Sequence, residues 1–403
     1  MLAGIDWAAE EHAVCVLDDE GRVVDRFTIA HSAQGFDRLT TGLARHGDPA
    51  QVPVAIERPD GRLVDRLLEI GHPVVPVKTN AIKAWREAEV LSGAKSDPGD
   101  AEVIADYLRQ RRGRLRELLP FSAETRALRA VSRSRTDLVD QRVAAANQLE
   151  AVLDAFWPGA KAVFADIWSP IALDFLERYP TPASAARVGE ARMAAFLTKH
   201  GYSGRRPPAE LIERLRAAPA GIPAGPEAEA RRDVVLAMVC VLRALVRAIK
   251  DLDRSVAAHL DEHPDAETFR SLPRSGQINA AQMLAEWGDC REAFDSPEAV
   301  AALSGATPVT KKSGKHEAVH FRWACNKRFR NAMTTFADNS RRASPWAQAI
   351  YQAALDRGHD HPHAVRILTR AWIRVIYRCW INHTTYDPKR HGAIGRMEQP
   401  SAA

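Results

Sequence analysis

The chain has 403 residues, 46% of them apolar and 27% charged, and its 56 Lys and Arg against 51 Asp and Glu give a net charge of +5. This composition excludes disordered and collagen-like chains, and the length predicts two or three domains, each with its own core. The five cysteines are scattered without a CxxC pair, so we expect no disulfide framework or zinc ribbon, and a cytoplasmic location. The longest apolar run, 234–242, is far shorter than the roughly 20 residues of a bilayer span, so we expect no membrane partner.

The charge is distributed unevenly along the chain. Residues 301–403 carry 17 Lys and Arg against 6 Asp and Glu, whereas residues 1–300 carry 39 against 45. A second basic cluster, from Arg109 to Arg135, holds nine Arg and two Glu. Such blocks are usually solvated faces, but two separate basic zones on an otherwise acidic chain also favour a polyanionic partner.

Short apolar runs and helical patterns alternate over the first 110 residues. Strands are predicted at 2–7, 13–17, 23–29, 52–56 and 73–77. Helical patterns follow the third, fourth and fifth strands, and a further helix begins near Ser96 or Asp97, either of which could cap it. The order β-β-β-α-β-α-β-α predicts a mixed sheet with helices on its faces.

The periodicity changes to heptads after about Glu124. One apolar stripe runs from Leu128 to Phe156 and a second from Val235 to Val256. They predict either an antiparallel helical hairpin or an oligomerisation coiled coil. Residues 160–225, between them, resemble a smaller helical insert. We therefore expect domains at 1–115, at 120–262 including this insert, and at 268–390.

The last domain is predicted to be helical from Leu272 onward. Trp346, Trp372 and Trp380 fall within helical patterns, which is typical of core or interface anchors. Gly358 and Pro362 predict that His359, His361 and His363 lie in a loop. We expect this loop to face solvent or phosphate and not to bind a metal. The tail at 391–403 is predicted to be disordered.

Four acidic residues are the sharpest chemical signal. Asp6 lies inside an apolar strand, Glu57 ends another, and Asp97 and Asp100 share one face at the start of a helix. Taken singly, each is explained as a strand end or a helix cap. Together they would repel one another unless a cation neutralised them, and carboxylate oxygens suit Mg²⁺ or Mn²⁺.

These motifs resemble those of a known family. Ile5-Asp6, Ala55-Ile56-Glu57 and Lys95-Ser96-Asp97 with Asp100 are similar to the DEDD motifs of insertion-sequence 110 family transposases, which are RNA-guided DNA recombinases. The resemblance implies an α/β plus all-α chain: an N-terminal ribonuclease-H-like, RuvC-type domain, a coiled-coil middle and a C-terminal helical transposase domain. It also implies that Asp6, Glu57, Asp97 and Asp100 bind Mg²⁺ or Mn²⁺ and are catalytic.

A basic segment from Lys311 to Arg330 follows in the last domain. Its basic residues, expected to bind nucleic acid, are Lys311, Lys312, Lys315, Arg322, Lys327, Arg328 and Arg330. Arg322 and Arg330 are the expected phosphate clamps, because a guanidinium binds phosphate bidentately. Ser313 lies beside Gly314 among the lysines; by itself this is an ordinary Ser-Gly turn, but the resemblance implies that Ser313 attacks the scissile phosphate. Ser304, also followed by Gly, has the apolar context of a helix end.

The resemblance implies an enzyme that cuts and rejoins donor and target DNA under the direction of a structured guide RNA. It also implies a homodimer or homotetramer and a location at the nucleoid. The cluster from Arg109 to Arg135 is the expected part of the RNA contact. One alternative is a metal-dependent nuclease or Holliday-junction resolvase, in which water attacks and Ser313 only binds phosphate. Another is a non-catalytic nucleic-acid-binding protein with a structural acidic cluster.

Overall fold

A computed structural model of the chain describes residues 1–89, 96–313 and 316–391. The chain divides into two compact units, the first over 1–120 and the second from residue 121 onward. The tail predicted to be disordered lies outside the described residues apart from His391, and Lys315 lies outside them too. None of the helices in the described part is both long and apolar enough to cross a membrane.

A five-stranded mixed sheet forms the centre of the first unit. Its strands are β1 (Leu2–Trp7), β2 (Glu11–Leu17), β3 (Val23–Ala30), β4 (Val54–Ile56) and β5 (Val74–Pro76). Their order is β3-β2-β1-β4-β5; the first three strands in sequence pair antiparallel, whereas β4 is parallel to both β1 and β5. The turn between β2 and β3 uses Gly21 at φ 87°, where glycine has no steric penalty. The predicted mixed sheet is confirmed.

Four helices cover the two faces of this sheet. They are α1 (Ala33–Ala44), α2 (Arg62–Ile70), α3 (Thr79–Glu89) and α4 (Asp97–Arg111). Because side chains alternate along a strand, Leu2 of β1 shares a buried cluster with Leu108 of α4, whereas Ile5 shares one with Leu39 of α1 and Leu67 of α2. Strands β1, β2, β4 and β5 are largely buried on both faces, which explains their continuously apolar sequences, whereas the edge strand β3 is mostly exposed.

Helices of very different length begin the second unit. The first is α5 (Ala123–Phe156), with 34 residues. Five short helices occupy the predicted insert: α6 (Pro158–Val163), α7 (Pro170–Arg178), α8 (Pro182–Ala185), α9 (Glu190–Lys199) and α10 (Pro208–Ala217). The next, α11 (Pro226–Glu262), has 37 residues.

The two long helices α5 and α11 pack along each other within the chain. Leu128, near the start of α5, shares a buried cluster with Leu260, near the end of α11. Leu149, near the end of α5, shares another with Val239 in the first half of α11. The pair is therefore antiparallel, which is the first of the two arrangements that the heptads predicted.

The remaining elements enclose the largest core of the chain. They are α12 (Ala266–Arg270), α13 (Gln277–Trp287), α14 (Pro297–Leu303), β6 (Val309–Ser313), β7 (His316–His320), α15 (Lys327–Ser340), α16 (Pro345–Asp356) and α17 (His361–Ile381). Trp287, Trp372 and Trp380 are completely buried there, and Trp346 is nearly so. The predicted role of tryptophans as core anchors is confirmed.

Two predictions for this part of the chain are wrong. An antiparallel hairpin, β6 and β7, interrupts the region predicted to be helical throughout. The predicted histidine-rich loop ends at Asp360, because α17 begins at His361 and contains two of the three histidines. Asp360 is its N-cap, whose carboxylate accepts a hydrogen bond from the His363 N–H at 2.9 Å, and Pro362 fits the first turn, where its missing N–H has no cost.

Candidate active site and nucleic-acid interface

Asp6 and Glu57 lie at the same edge of the sheet. Asp6 is the fifth residue of β1, and Glu57 directly follows β4. Since β1 and β4 are parallel with Ile5 opposite Ile56, the two acidic residues occupy matching positions. Strand alternation puts both on the sheet face that carries Leu2 and Ala55, which is the face covered by α4.

Helix α4 adds two carboxylates to this face. Ser96 caps the helix by accepting a hydrogen bond from the Gly99 N–H at 3.3 Å, so Asp97 and Asp100 fall in the first turn. The helix lies so close to β1 that a Cβ on Gly4 would be 2.3 Å from the Ala101 carbonyl oxygen. Only glycine allows this approach, and it holds the acidic first turn of α4 against the strand that bears Asp6.

Asp100 already has a cationic partner. It is only 6% exposed, and its Oδ1 lies 2.7 Å from Nη2 of Arg86 on α3. The Arg86 Nε is buried without a hydrogen-bond partner. A carboxylate at this depth requires a nearby positive charge, because an unpaired buried charge is strongly unfavourable.

The four carboxylates fit a divalent cation by their chemistry. All are hard oxygen donors, the type that Mg²⁺ and Mn²⁺ prefer. In the described part of the chain, however, no three His, Cys, Asp or Glu side chains are gathered closely enough to hold a metal ion. Arg86 contacts Asp100, so a metal on Asp100 would compete with it.

Ser313 is the last residue of β6, at the tip of the hairpin. It pairs with His316 across the turn, and its side chain is exposed, as are those of Lys311 and Lys312. An exposed hydroxyl on the same strand as exposed lysines is accessible to a phosphate. Ser304, by contrast, is the C-cap of α14, is 1% exposed and donates its hydroxyl to the Ala301 carbonyl at 3.1 Å.

The two expected phosphate clamps have internal partners. Arg322 donates from Nε to the Thr307 carbonyl at 2.9 Å. Arg330 donates to the Arg322 carbonyl and places its guanidinium 4.4 Å from the centre of the Phe321 ring. These contacts hold the segment after β7 against the start of α15, so both arginines have a structural role.

The neighbouring basic residues at the start of α15 differ in their surroundings. Lys327 is exposed, whereas Arg328 is paired with Asp137 of α5 at 2.7 Å. Lys311, Lys312 and Lys327 are thus the exposed cations among the predicted nucleic-acid-binding residues that the structure describes.

Arginines of the cluster from Arg109 to Arg135 contribute to the fold of their own units. Arg109 is paired with Asp106 at 2.8 Å, and Arg135 with Asp253 at 2.8 Å. Arg129 donates to the Ala285 carbonyl at 2.7 Å, and the pKa of its guanidinium is lowered by burial. A contact of these three arginines with RNA would compete with these internal bonds.

Glu286 is the centre of a buried polar cluster that joins α5, α13 and α15. Arg133 donates to both of its carboxylate oxygens at 2.7 Å, and the Asn326 side-chain amide donates to one of them at 2.7 Å. Burial alone raises the pKa of a carboxyl group, but these hydrogen bonds outweigh it and lower the pKa of Glu286. Since Asn326 is also the N-cap of α15, this cluster positions the basic residues that follow.

A groove of about 570 Å³ contains basic residues outside the predicted set. One wall is formed by α17 and the other by the loop before β6, the end of β7 and the residues after it. Arg366, Arg370 and Arg374 of α17 line it. Their four-residue spacing is visible in the sequence and is the signal that could have identified them.

Two regions of the chain match family models of transposases. Residues 3–158 match the DEDD transposase model of IS110 elements, and residues 266–352 match the model described as transposase of the IS116/IS110/IS902 family. A Streptomyces coelicolor protein of the IS117 mini-circle, named as a transposase, is 32% identical over 97% of this chain and 96% of its own length. The chain belongs to the IS110 family of transposases.

Two further relatives support the IS110-family assignment over the full chain. They are a 42 kDa protein of insertion element IS900 from Mycobacterium paratuberculosis and a 44.8 kDa protein of IS116 from Streptomyces clavuligerus. Each is 27% identical over 96% of this chain, and the matches cover 97% and 96% of their own lengths. As an IS110-family transposase, the protein is a DNA-recombining enzyme. The first matched region contains all four carboxylates, and the second contains Ser313.

Proposed function

We propose that this transposase cuts and rejoins the DNA strands of an insertion sequence with a divalent-metal carboxylate site and a serine nucleophile. Asp6, Glu57, Asp97 and Asp100 would hold Mg²⁺ or Mn²⁺ in a RuvC-type, ribonuclease-H-like domain. The observation that carries the proposal is the close approach of α4 to Gly4, because it puts the acidic first turn of α4 on the sheet face of Asp6 and Glu57.

In the proposed reaction, the Ser313 Oγ attacks a DNA phosphorus atom. The Oγ–P bond forms as the bond from phosphorus to the 3′ oxygen breaks, and the hydroxyl proton passes to the departing oxygen, which becomes a 3′ hydroxyl. Lys311 and Lys312, exposed on the same strand, offset the charge of the phosphate. The bound metal would supply Lewis-acid stabilisation of the phosphate oxygens. Reversal by another 3′ hydroxyl rejoins the strands.

The partners follow from this reaction and from the family. Donor and target DNA are the substrates, and we infer that the protein acts at the nucleoid. A structured guide RNA that pairs with both DNAs is proposed on the family resemblance alone. A homodimer or homotetramer is proposed because the carboxylates belong to the first unit and Ser313 to the second.

A covalent protein–DNA adduct that survives denaturation tests the serine nucleophile. Ser313→Ala removes the only atom that forms the link, so we expect the adduct and recombination to disappear. Thr310→Ala is the matched control, since it removes an exposed hydroxyl from the same strand. We expect this control to retain adduct formation and recombination, measured by denaturing gel electrophoresis of labelled DNA.

Two results would contradict this mechanism in different ways. The first is metal-dependent cleavage without an adduct, at a rate that Ser313→Ala leaves near that of the wild type. It would identify a nuclease or junction resolvase in which water attacks. Binding without any cleavage in the presence of Mg²⁺ or Mn²⁺ would identify a non-catalytic nucleic-acid-binding protein.

A further inference from the structure

We propose that the groove between β7 and α17 binds a single-stranded DNA segment, with phosphates on Arg366, Arg370 and Arg374 and an unpaired base stacked on Trp323. The groove lies entirely within the second unit. The three arginines of α17 that line it, and Trp323 beside it, are separate from the four carboxylates and from Ser313. The inference rests on the proposed function for its choice of DNA over RNA, since β7 belongs to the same hairpin as Ser313.

The three arginines form a regular row. Residues four apart lie on the same face of a helix, one above the other, and are about 6 Å apart along the axis. All three line the groove. A row of guanidinium groups along one wall is suited to a chain of phosphates rather than to a single anion.

These guanidinium groups lack strong internal partners. In the part of the chain that the structure describes, Arg366 and Arg370 form no ion pair, and the Arg370 Nε is buried without a hydrogen-bond partner. Burial lowers the pKa of Arg366 because it disfavours the charged guanidinium. A phosphate bound beside it would stabilise that charge. Arg374 is paired with Glu298 at 3.0 Å, but both side chains are about half exposed, and such a surface pair is weak enough for a phosphate to displace.

Exposed aromatic surface lies next to this row. Phe321 lines the groove, with the Arg366 guanidinium 5.0 Å from its ring centre. Trp323 contacts Phe321 edge to face at 4.8 Å and is itself 76% exposed, the highest exposure among the large apolar side chains that the structure describes. Tryptophan is normally far more buried than this, and exposed aromatic rings beside cationic residues are the usual platform for unpaired bases.

The size and chemistry of the groove favour a single strand. A volume of about 570 Å³ is within the range of roughly 300–1,000 Å³ typical of small-ligand clefts, and a duplex does not fit such a space. Stacking on Trp323 also requires a base with a free face, which a continuous duplex does not offer.

Fluorescence anisotropy with a labelled oligothymidylate of about twelve nucleotides tests the role of Trp323. The full-length protein is used in EDTA, so that no metal-dependent step takes place. We expect Trp323→Ala to weaken binding about tenfold, because stacking is lost, and Trp323→Phe to retain most of it. Binding of a duplex of the same length should be the same for all three proteins.

The salt dependence of the same binding tests the arginine row. Arg370→Gln should reduce the slope of log K against log salt concentration by about 0.7, the value for one phosphate contact on a single strand. Arg378→Gln is the matched control, because Arg378 is an exposed residue of the same helix that does not line the groove. Its slope should equal that of the wild type.

Three results would overturn the inference. The first is that Trp323→Ala and the wild type bind the oligothymidylate with equal affinity. The second is that Arg370→Gln and Arg378→Gln have equal salt slopes. The third is that Trp323→Ala weakens the binding of an RNA oligonucleotide but not that of the DNA. This assay does not depend on Ser313. If Ser313→Ala loses the adduct but Trp323→Ala binds normally, the proposed function stands and the groove is rejected. If Ser313→Ala keeps the adduct but Trp323→Ala binds weakly, the groove stands and the proposed function is rejected.

Discussion

The contact between Arg86 and Asp100 links the stability of the first unit to the proposed metal site. Asp100 is buried, and Arg86 supplies the positive charge that it needs. A divalent cation bound to Asp100 would supply positive charge in place of Arg86. The state of this ion pair should therefore depend on metal, which can be measured without any DNA.

We expect Arg86→Ala to lower the free energy of unfolding by about 3–5 kcal/mol in metal-free buffer, because it leaves a buried carboxylate unpaired. Millimolar Mg²⁺ should restore part of this loss by replacing the missing charge. Urea denaturation with and without Mg²⁺ provides the measurement.

Arg62→Ala is the control for that experiment. Arg62 is paired with Asp65 at 3.0 Å in the same unit, but its side chain is well exposed. Its loss should cost less than about 1 kcal/mol and should not respond to Mg²⁺. An equal response of the two variants would show that Asp100 does not take part in a metal site.

The partners of individual arginines could not be predicted from the sequence. Arg133 is paired with Glu286, which is 153 residues away along the chain. A basic cluster looks the same in a sequence whether it contacts nucleic acid or a distant carboxylate, because only the fold brings the carboxylate near. For the same reason, the sequence does not show that Trp323 is exposed whereas Trp287 is buried.

Secondary-structure elements were predictable where burial leaves a pattern. The strands β1, β2, β4 and β5 are apolar because helices cover the sheet, and their positions follow from that. The hairpin of β6 and β7 was missed because Lys311, Lys312 and Ser313 of β6 are all exposed and show no alternation. An element without a buried face gives no periodic signal.

Strand β2 carries a buried histidine, His12, which we expect to make the first unit sensitive to pH. The Ala8 N–H donates to the His12 Nδ1 at 3.3 Å, and the His12 Nε2 lies 2.8 Å from the His31 Nδ1. The Nδ1 therefore acts as an acceptor, which requires the neutral ring with its proton on Nε2. Burial and the neighbouring His31 lower the pKa of His12 from 6.5 to about 4.

Because this pKa is lower in the folded state, the unfolded chain binds more protons between about pH 6.5 and about pH 4. Stability should therefore fall as the pH decreases through this window, and the His12 contribution should be complete above it. We expect His12→Gln to reduce the difference between urea midpoints at about pH 7 and about pH 5. An unchanged difference would show that other groups determine the acid sensitivity.

At the scale of the whole molecule, the proposed chemistry is divided between two units. The carboxylates belong to the first unit and Ser313 to the second. If one protomer supplies the carboxylates and another supplies the serine, neither set is sufficient within one chain. A composite site of this kind is testable by mixing two inactive variants.

We expect Glu57→Gln and Ser313→Ala each to be inactive in recombination, because one weakens the metal site and the other removes the nucleophile. When the two proteins are combined during refolding or co-expression, mixed oligomers contain one intact site, so partial activity should return. Each variant mixed with itself is the control. Failure of the mixture, with both variants folded and assembled, would show that each site is built within one protomer.

The close approach of α4 to Gly4 also affects how copies of an insertion sequence lose activity in a genome. Any codon change at position 4 that introduces a side chain puts a carbon atom 2.3 Å from one backbone atom of α4 and 2.4 Å from another, so the helix must move. Such a copy would encode every carboxylate and the serine and would still be silent. A survey for active copies must therefore include the glycine as well as the residues proposed to be catalytic.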